Sequence, residues 1–156
     1  MNIYDLLEFE EGYREKPYLC SEGYVTCGIG TKLHKDKGLN PEDFPIRFTR
    51  KIAEEFLKQE LKAITIELQR SDVSITMSGL STDRQHIILS MCYQMGVRGV
   101  LGFKKMWKAL EVEDEAVAQV EMLDSKWARQ TPERAERHAD VIFCGSLDVV
   151  YGGLIC

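Results

Sequence analysis

Glu11 is the residue whose type and position most directly suggest catalytic chemistry. It ends a short predicted helix over residues 2–11, where unsatisfied carbonyl groups make the local potential negative. A negative potential disfavours the ionised carboxylate, so a carboxyl group at this place is suited to hold a proton and donate it as a general acid. The alternative interpretation is a solvated glutamate in an acidic surface patch with Glu8 and Glu10.

The histidines and cysteines show no spacing that is typical of a metal site. No pattern such as His-Glu-x-x-His joins the three histidines, which are His34, His86 and His138. The five cysteines are odd in number and lack a Cys-x-x-Cys pair, which favours free thiols over disulfides or zinc. We therefore predict neither a metal site nor a cofactor. Cys27 and Cys92 are expected in the core, and Cys156 is expected to be exposed and reactive.

The composition excludes several classes of protein. The 156 residues are 44% hydrophobic and 29% charged, as in an ordinary globular domain. There are 20 basic and 25 acidic residues, and the net charge of −5 argues against nucleic-acid binding. The sequence has no run of about 18 apolar residues, so no stable membrane insertion is expected. The acidic start Met1–Asp5 does not resemble a secretory signal, which predicts accumulation in the cytoplasm.

The N-terminal third of the sequence predicts one short helix and a small sheet. Asn2 and Gly12 are suited to begin and end the helix. Two β-rich runs flank a turn that contains Gly23, which is a hairpin signal. The expected elements are a helix over 2–11, hairpin strands at 18–20 and 24–27, a third strand near 31–33, and a surface loop over 35–45.

The remainder of the sequence predicts helices. Thr49 is a suitable N-cap for a long helix near 50–69, whose apolar residues follow the helical period. Residues 71–79 interrupt this pattern. Thr131, Pro132 and Glu133 form a strong helix start, with a capping hydroxyl, a proline at the first helical position and an acid in the first turn. Further helices are expected near 82–95, 103–110, 113–122 and 132–142.

Three segments of the sequence resemble one known family. The segment Glu11–Gly30, EGYREKPYLCSEGYVTCGIG, closely resembles the active-site segment of the T-even-type phage lysozymes, which form glycoside hydrolase family 24. That family's signature is a Glu, eight residues, an Asp, five residues and a Thr, and the matching positions here are Glu11, Cys20 and Thr26. The two other segments that resemble the family are 92–103, which begins CYQMG, and 125–135, SKWARQTPERA.

The resemblance implies a fold and a domain organisation. The expected fold is a lysozyme-like α+β domain over 1–156. Its small N-terminal lobe, about 12–50, holds a three-stranded antiparallel sheet, and a connecting helix of about 50–69 follows. A larger all-α C-terminal lobe takes about 70–156 together with helix 2–11. A boundary between two lobes is a natural place for a cleft.

The resemblance also implies a reaction and roles for single residues. Glu11 would protonate the glycosidic oxygen between N-acetylmuramic acid and N-acetylglucosamine in bacterial peptidoglycan. A second group and Thr26 would position water below the anomeric carbon, with inversion. Gly30 and Arg134 would support the site, Arg134 by pairing its guanidinium with the catalytic acid. The family positions that contact sugar correspond to Lys32, Tyr93 and Gln94, and packing of Tyr93 in the C-terminal lobe is the alternative for that residue.

Cys20 departs from the family pattern because it occupies the aspartate position. In one interpretation the thiol works, as a base or as a nucleophile whose attack would give retention instead of inversion. In a second, Glu22 in the adjacent turn supplies the carboxylate. In a third, the chain is a weak or inactive homologue that binds peptidoglycan without hydrolysing it, or Cys20 is an engineered residue. We favour a working or weakly working Cys20.

The implied biology follows from the same resemblance. The partner would be the glycan strands of peptidoglycan, and the protein is expected to be a monomer. Without an export signal it would stay in the host cytoplasm until lysis. A separate holin-type membrane protein would then let it reach the periplasm and the cell wall.

Overall fold

The computed structural model describes residues 1–154. It contains a three-stranded antiparallel sheet near the N-terminus and a mostly helical remainder, which confirms the predicted lysozyme-like α+β fold. Cys156, for which the sequence predicts an exposed and reactive thiol, lies outside the described residues. None of the helices among residues 1–154 is both long enough and apolar enough to span a membrane.

Helix α1, Ile3–Glu11, has well-defined signals at both ends. The Asn2 side chain accepts hydrogen bonds from the backbone N–H groups of Tyr4 and Asp5, and the Asp5 carboxylate accepts one from the Asn2 N–H, which completes a capping box. Gly12 ends the helix with φ of +72°, and its N–H donates to Glu8 O at 2.9 Å. Glu11 is therefore the last helical residue, as predicted.

The sheet consists of β1 (Arg14–Leu19), β2 (Tyr24–Gly28) and β3 (Thr31–Lys37), in that spatial order. Thr26 in the central strand pairs with Tyr18 on one side and with Lys32 on the other. The first strand begins earlier than predicted. The third strand is also longer, because Lys37 pairs with Tyr24, so the predicted loop over 35–45 begins only after β3 ends.

Helix α2, Arg50–Gln69, matches the predicted long helix. The Thr49 hydroxyl accepts a hydrogen bond from the Ile52 N–H at 3.3 Å, so Thr49 is the N-cap. One face of α2 is buried at intervals of three or four residues. The buried residues of this face are Ala53, Leu57, Leu61, Ile64 and Leu68.

Eight further helices follow among the described residues. Four of them match predicted helices: α4 (Thr82–Met95), α6 (Lys104–Glu111), α7 (Glu115–Leu123) and α9 (Pro132–Cys144). The other four are short helices that the sequence analysis missed: α3 (Ser74–Gly79), α5 (Val97–Leu101), α8 (Lys126–Gln130) and α10 (Leu147–Tyr151). A helix of one or two turns is too short to show the period of 3.6 residues, and this explains the omission.

The chain forms two compact units. One is Asn2–Lys62, and the other is Met1 with the residues from Ala63 onward. The first groups α1 with the sheet, whereas the sequence analysis assigns helix 2–11 to the C-terminal lobe, and that lobe assignment stays a prediction. The core of the first unit includes Leu6, Leu7, Val25, Ile29 and Leu57. The core of the second includes Ile87, Met91, Met106, Met122 and Ile142.

Candidate active site

The Glu11 side chain lies against the backbone of Gly30. Gly30 is in the tight turn between β2 and β3 and has φ of +69°. A Cβ atom on Gly30 would lie 3.0 Å from Oε2 of Glu11 and 3.2 Å from its Cβ and Cγ, closer than real Cβ atoms normally approach. The backbone conformation favours glycine, and any Cβ here would push the Glu11 side chain away by a few tenths of an ångström. The Glu11 carboxyl therefore packs against this turn on one side.

Thr26 is held in the middle strand of the sheet. The residue is only 2% exposed and pairs with strands on both sides. Its hydroxyl donates a hydrogen bond to Tyr24 O at 3.0 Å. A β-branched residue in a central strand has restricted side-chain rotation, so the orientation of the hydroxyl is well defined.

Cys20 lies at the start of the hairpin turn, half-buried. Its N–H donates to Tyr24 O, and its carbonyl accepts from the Gly23 N–H, both at 2.9 Å. Burial acts to raise the pKa of its thiol. The net effect is nevertheless a lowered pKa, because backbone hydrogen bonds from Tyr24 and Glu22, the Thr26 hydroxyl and the positive charge of Lys32 all favour the thiolate. Groups of the hairpin turn thus favour the thiolate over the neutral thiol.

Thr26 connects the predicted site residues of the hairpin. Its hydroxyl donates to Tyr24 O and is also one of the groups that lower the pKa of the Cys20 thiol. A hydroxyl has one proton to donate, so it can turn from the carbonyl to the thiolate when Cys20 ionises. The structure therefore brings Cys20 and Thr26 together, as the spacing of the family signature requires.

Glu60 on α2 adds a carboxylate to the electrostatic surroundings of Glu11, and the sequence analysis did not identify it. The pKa of Glu60 is raised by partial desolvation and by the negative charge of Glu11, while Lys32 opposes this effect. The helical period predicts which residues of α2 are buried, but it does not show which polar side chain comes near a residue far away in sequence. No sequence signal could have indicated this neighbour.

Glu22, the alternative carboxylate, forms a salt bridge with Lys32. Its Oε2 lies 3.1 Å from Lys32 Nζ, and both side chains are exposed. The Lys32 ammonium also lies 4.2 Å from the centroid of the Tyr24 ring. A shallow groove on the surface runs beside this cluster, lined by Tyr24, Lys32, Leu33, His34 and Lys35. Lys32 thus lines a solvent-accessible groove, and its role toward sugar stays a prediction.

The predicted sugar-binding residues of the second unit belong to its packed part. Tyr93 is 8% exposed, as expected if it packs in the C-terminal lobe. The Gln94 side-chain oxygen accepts a hydrogen bond from Trp127 Nε1 at 2.7 Å. Their roles toward sugar stay predictions.

Arg134 is 7% exposed, although arginine is among the residues least often buried. Its Nη2 donates to the Ser90 carbonyl at 3.2 Å and to the Ser90 hydroxyl at 3.0 Å. The sequence analysis missed Ser90. It also found no role for His138, although Arg134 and His138 are four residues apart in a predicted helix, a spacing that places both on one face. The predicted pair between Arg134 and Glu11 stays a prediction.

The described residues hold no cluster of three or more His, Cys, Asp or Glu side chains that could bind a metal ion. The structure describes four cysteines, and all four are free thiols. Of these, Cys27 and Cys92 are buried, as expected.

Comparisons with known proteins place this chain among the phage-type lysozymes. The family model described as phage lysozyme matches residues 8–137, a range that contains all the predicted site residues. Two proteins of Dictyostelium discoideum are similar over 94% of this chain and 96% of their own length: probable T4-type lysozyme 1 at 32% identity and probable T4-type lysozyme 2 at 29%. The pre-baseplate central spike protein Gp5 of Enterobacteria phage T4 is 29% identical over 95% of this chain and 28% of its own length.

Proposed function

This chain belongs to the phage lysozyme family and is a glycoside hydrolase of the lysozyme type, and we propose that Glu11 is its general acid. The substrate in this proposal is the β-1,4 bond between N-acetylmuramic acid and N-acetylglucosamine in peptidoglycan. The observation that carries the proposal is the contact of the Glu11 side chain with the Gly30 turn. A carboxyl held by a rigid turn can be placed within hydrogen-bonding reach of a glycosidic oxygen.

Glu11 would donate its proton to the leaving oxygen as the glycosidic bond breaks. The oxocarbenium-like transition state that results is positive, and a negative group on the opposite face of the sugar would stabilise it. The lowered pKa of the Cys20 thiol supports Cys20 as that group. Thr26 supports it in turn, because its hydroxyl can donate to the thiolate or orient a water molecule.

Two routes are open to Cys20 once it is ionised. As a base it would take a proton from a water molecule that attacks the anomeric carbon, and the product would have inverted configuration. As a nucleophile its sulfur would bond to the anomeric carbon, and water would then hydrolyse the glycosyl-enzyme with overall retention. The configuration of the first product, measured by NMR, distinguishes the two routes.

The remaining predicted residues have supporting roles in this proposal. Arg134 would pair with the Glu11 carboxylate and so orient it. Lys32, Tyr93 and Gln94 would contact the glycan strand. The protein would act as a monomer, remain in the host cytoplasm until lysis, and depend on a separate holin-type protein to reach the cell wall.

The central test is turbidity clearing of bacterial cells stripped of their outer membrane, with release of reducing ends as a second readout. Glu11→Gln should lower the rate by roughly 10²- to 10⁴-fold, the usual contribution of a general acid. Glu10→Gln is the matched control, because it removes a neighbouring carboxylate of the same helix and should leave the rate within about twofold. Equal rates for the parent and Glu11→Gln would refute the assignment.

Cys20 is tested separately by three variants. If the thiol works, Cys20→Ala should lose most of the activity and Cys20→Asp should keep or increase it. If Glu22 supplies the carboxylate, Cys20→Ala should clear as fast as the parent and Glu22→Gln should not.

A second candidate function is favoured by the presence of Cys20 where the family has aspartate. The chain would then bind peptidoglycan without cleaving it. In that case the parent would sediment with purified peptidoglycan but release no reducing ends, and Cys20→Asp would create the activity.

A further inference from the structure

The second compact unit contains a chain of buried polar side chains, of which the proposed reaction uses only Arg134. It connects Arg134 and His138 of α9 with Ser90 of α4 and Tyr151 of α10. Ser90, His138 and Tyr151 have no exposed surface. The Ser90 hydroxyl lies 3.0 Å from Arg134 Nη2 and 2.8 Å from His138 Nε2, and His138 Nδ1 lies 2.9 Å from the Tyr151 hydroxyl.

The hydrogen bonds of Ser90 give this chain a direction. Because a guanidinium only donates, the Ser90 oxygen accepts from Arg134. The Ser90 hydroxyl then donates its own proton to His138 Nε2, the other polar atom within reach. The neutral imidazole therefore carries its proton on Nδ1 and donates it to the Tyr151 oxygen. The order of donation is Arg134 to Ser90 to His138 to Tyr151.

The environment of His138 favours the neutral ring. Burial lowers the pKa of His138 well below its ordinary value, and the positive charges of Arg134 and Arg137 lower it further. Tyr151 is the titratable group that faces the ring from α10. From α8 the Trp127 ring packs at 6.0 Å and 57°, and it carries no charge.

We propose that Ser90 and His138 are positioning residues that hold the Arg134 guanidinium in one orientation. Two hydrogen bonds to Ser90 fix one terminal nitrogen of the planar group, and His138 fixes the rotation of the Ser90 hydroxyl. Since the guanidinium is rigid and planar, fixing one nitrogen fixes the directions of its other donors. The consequence for catalysis rests on the proposed function, in which Arg134 orients the Glu11 carboxylate.

A double-mutant cycle on purified peptidoglycan tests whether Ser90 and His138 act through Arg134. Ser90→Ala and His138→Phe should each lower kcat by about tenfold, with KM changed by less than about twofold, as expected for loss of a buried hydrogen bond that orients a catalytic group. In an Arg134→Met background both substitutions should have little further effect. If they act only on the fold, their effects should persist in that background, and this result would overturn the proposal.

Conservative variants keep the test decisive where a substitution lowers stability. Ser90→Thr retains the hydroxyl and should restore most of the activity that Ser90→Ala loses, even if both have the same melting temperature. His86→Phe is the matched control, since His86 is also on α4 but outside the buried chain, and it should keep the parent kcat. Failure of Ser90→Thr to exceed Ser90→Ala would contradict a role for the hydroxyl. A parent no faster than Glu11→Gln would instead refute the proposed function itself.

Discussion

The hairpin of the first unit and the buried polar chain of the second hold reactive side chains in different ways. In the hairpin, backbone groups and one glycine do most of the positioning: the Cys20 main chain is hydrogen-bonded to Tyr24 and Gly23, and Glu11 lies against Gly30. In the second unit, side chains hold one another, since Ser90 and His138 are fully buried. The hairpin can stabilise an anion close to solvent, whereas the buried chain keeps a histidine neutral. The burial that keeps His138 neutral would likewise disfavour a thiolate at that place.

The largest expected contrast is between the thiols of the two regions. The pKa of Cys20 is lowered, whereas burial raises the pKa of Cys92 to about 12. At pH 7, Cys20 should therefore react with iodoacetamide roughly 10³-fold faster than Cys92. Peptide mass spectrometry of timed samples measures both rates in one protein.

The same labelling experiment connects Cys20 with the proposed function. A bound oligosaccharide of peptidoglycan should protect Cys20, and loss of activity should follow its labelling. Labelling of Cys92 at a comparable rate would show that the helical unit opens readily, and it would remove the contrast between the two regions.

Gly30→Ala tests how strictly the backbone positions Glu11. The added methyl group would meet the Glu11 side chain at 3.0–3.2 Å. Because a misplacement of about 1 Å can cost about 10²-fold in rate, we expect Gly30→Ala to slow peptidoglycan hydrolysis by up to about that factor.

Gly38→Ala is the matched control for strain alone. Gly38 also has a positive φ, +74°, but nothing lies within 4 Å of a Cβ at that place. Both variants should lose about 1–2 kcal/mol of stability from the left-handed backbone, but only Gly30→Ala should lose activity beyond about twofold. Equal activity losses would mean that the glycine serves the turn and not Glu11.

The two regions also differ in how far the sequence predicted them. The hairpin site depends on local signals, namely a helix that ends at Gly12 and a turn that contains Gly23, and the spacing of Glu11, Cys20 and Thr26 follows one short segment. The sequence therefore predicted its elements, although it ended β3 too early. The missed extension depends on pairing of Lys37 with Tyr24, which local composition does not show.

The buried chain could not be predicted from local signals. Its members come from α4, α9 and α10, and α10 itself is a five-residue helix without a measurable period. His138 has no metal-ligand spacing, and its place four residues after Arg134 shows only a shared helix face, not the partners from α4 and α10. Contacts between side chains 44 to 48 residues apart, as between Ser90 and its partners on α9, follow from tertiary packing alone.

His138→Phe tests the cost of keeping a buried histidine neutral. Because its folded pKa lies below the unfolded value, the unfolded state binds more protons, and stability falls as the pH drops below about 6.5. In this range the parent should lose up to about 1.4 kcal/mol of unfolding free energy per pH unit through this residue, and His138→Phe should remove that part of the slope. Urea unfolding at pH 4.5 to 7.5 measures it.

His86→Phe provides the comparison for the acid slope. Burial also lowers the pKa of His86, but this ring is only half-buried and Asp83 opposes the shift. Its substitution should therefore remove a smaller part of the pH dependence. An unchanged slope in His138→Phe would mean that the ring is charged inside the folded protein, and the donation order from Arg134 to Tyr151 would then be wrong.

Lys32→Ala should give the smallest effect, because it removes one exposed charge from the hairpin and leaves the main-chain hydrogen bonds of Cys20 intact. Lys32 is the weakest of the influences that lower the pKa of Cys20, and its side chain is 45% exposed, so water screens it. The alkylation rate of Cys20 at pH 7 should fall by about twofold. Lys35→Ala, a neighbouring change on β3, should leave the rate unchanged. A fall of tenfold or more in Lys32→Ala would show that a side-chain charge, and not the backbone of the turn, stabilises the thiolate, and the hairpin would then resemble the buried chain in depending on its side chains.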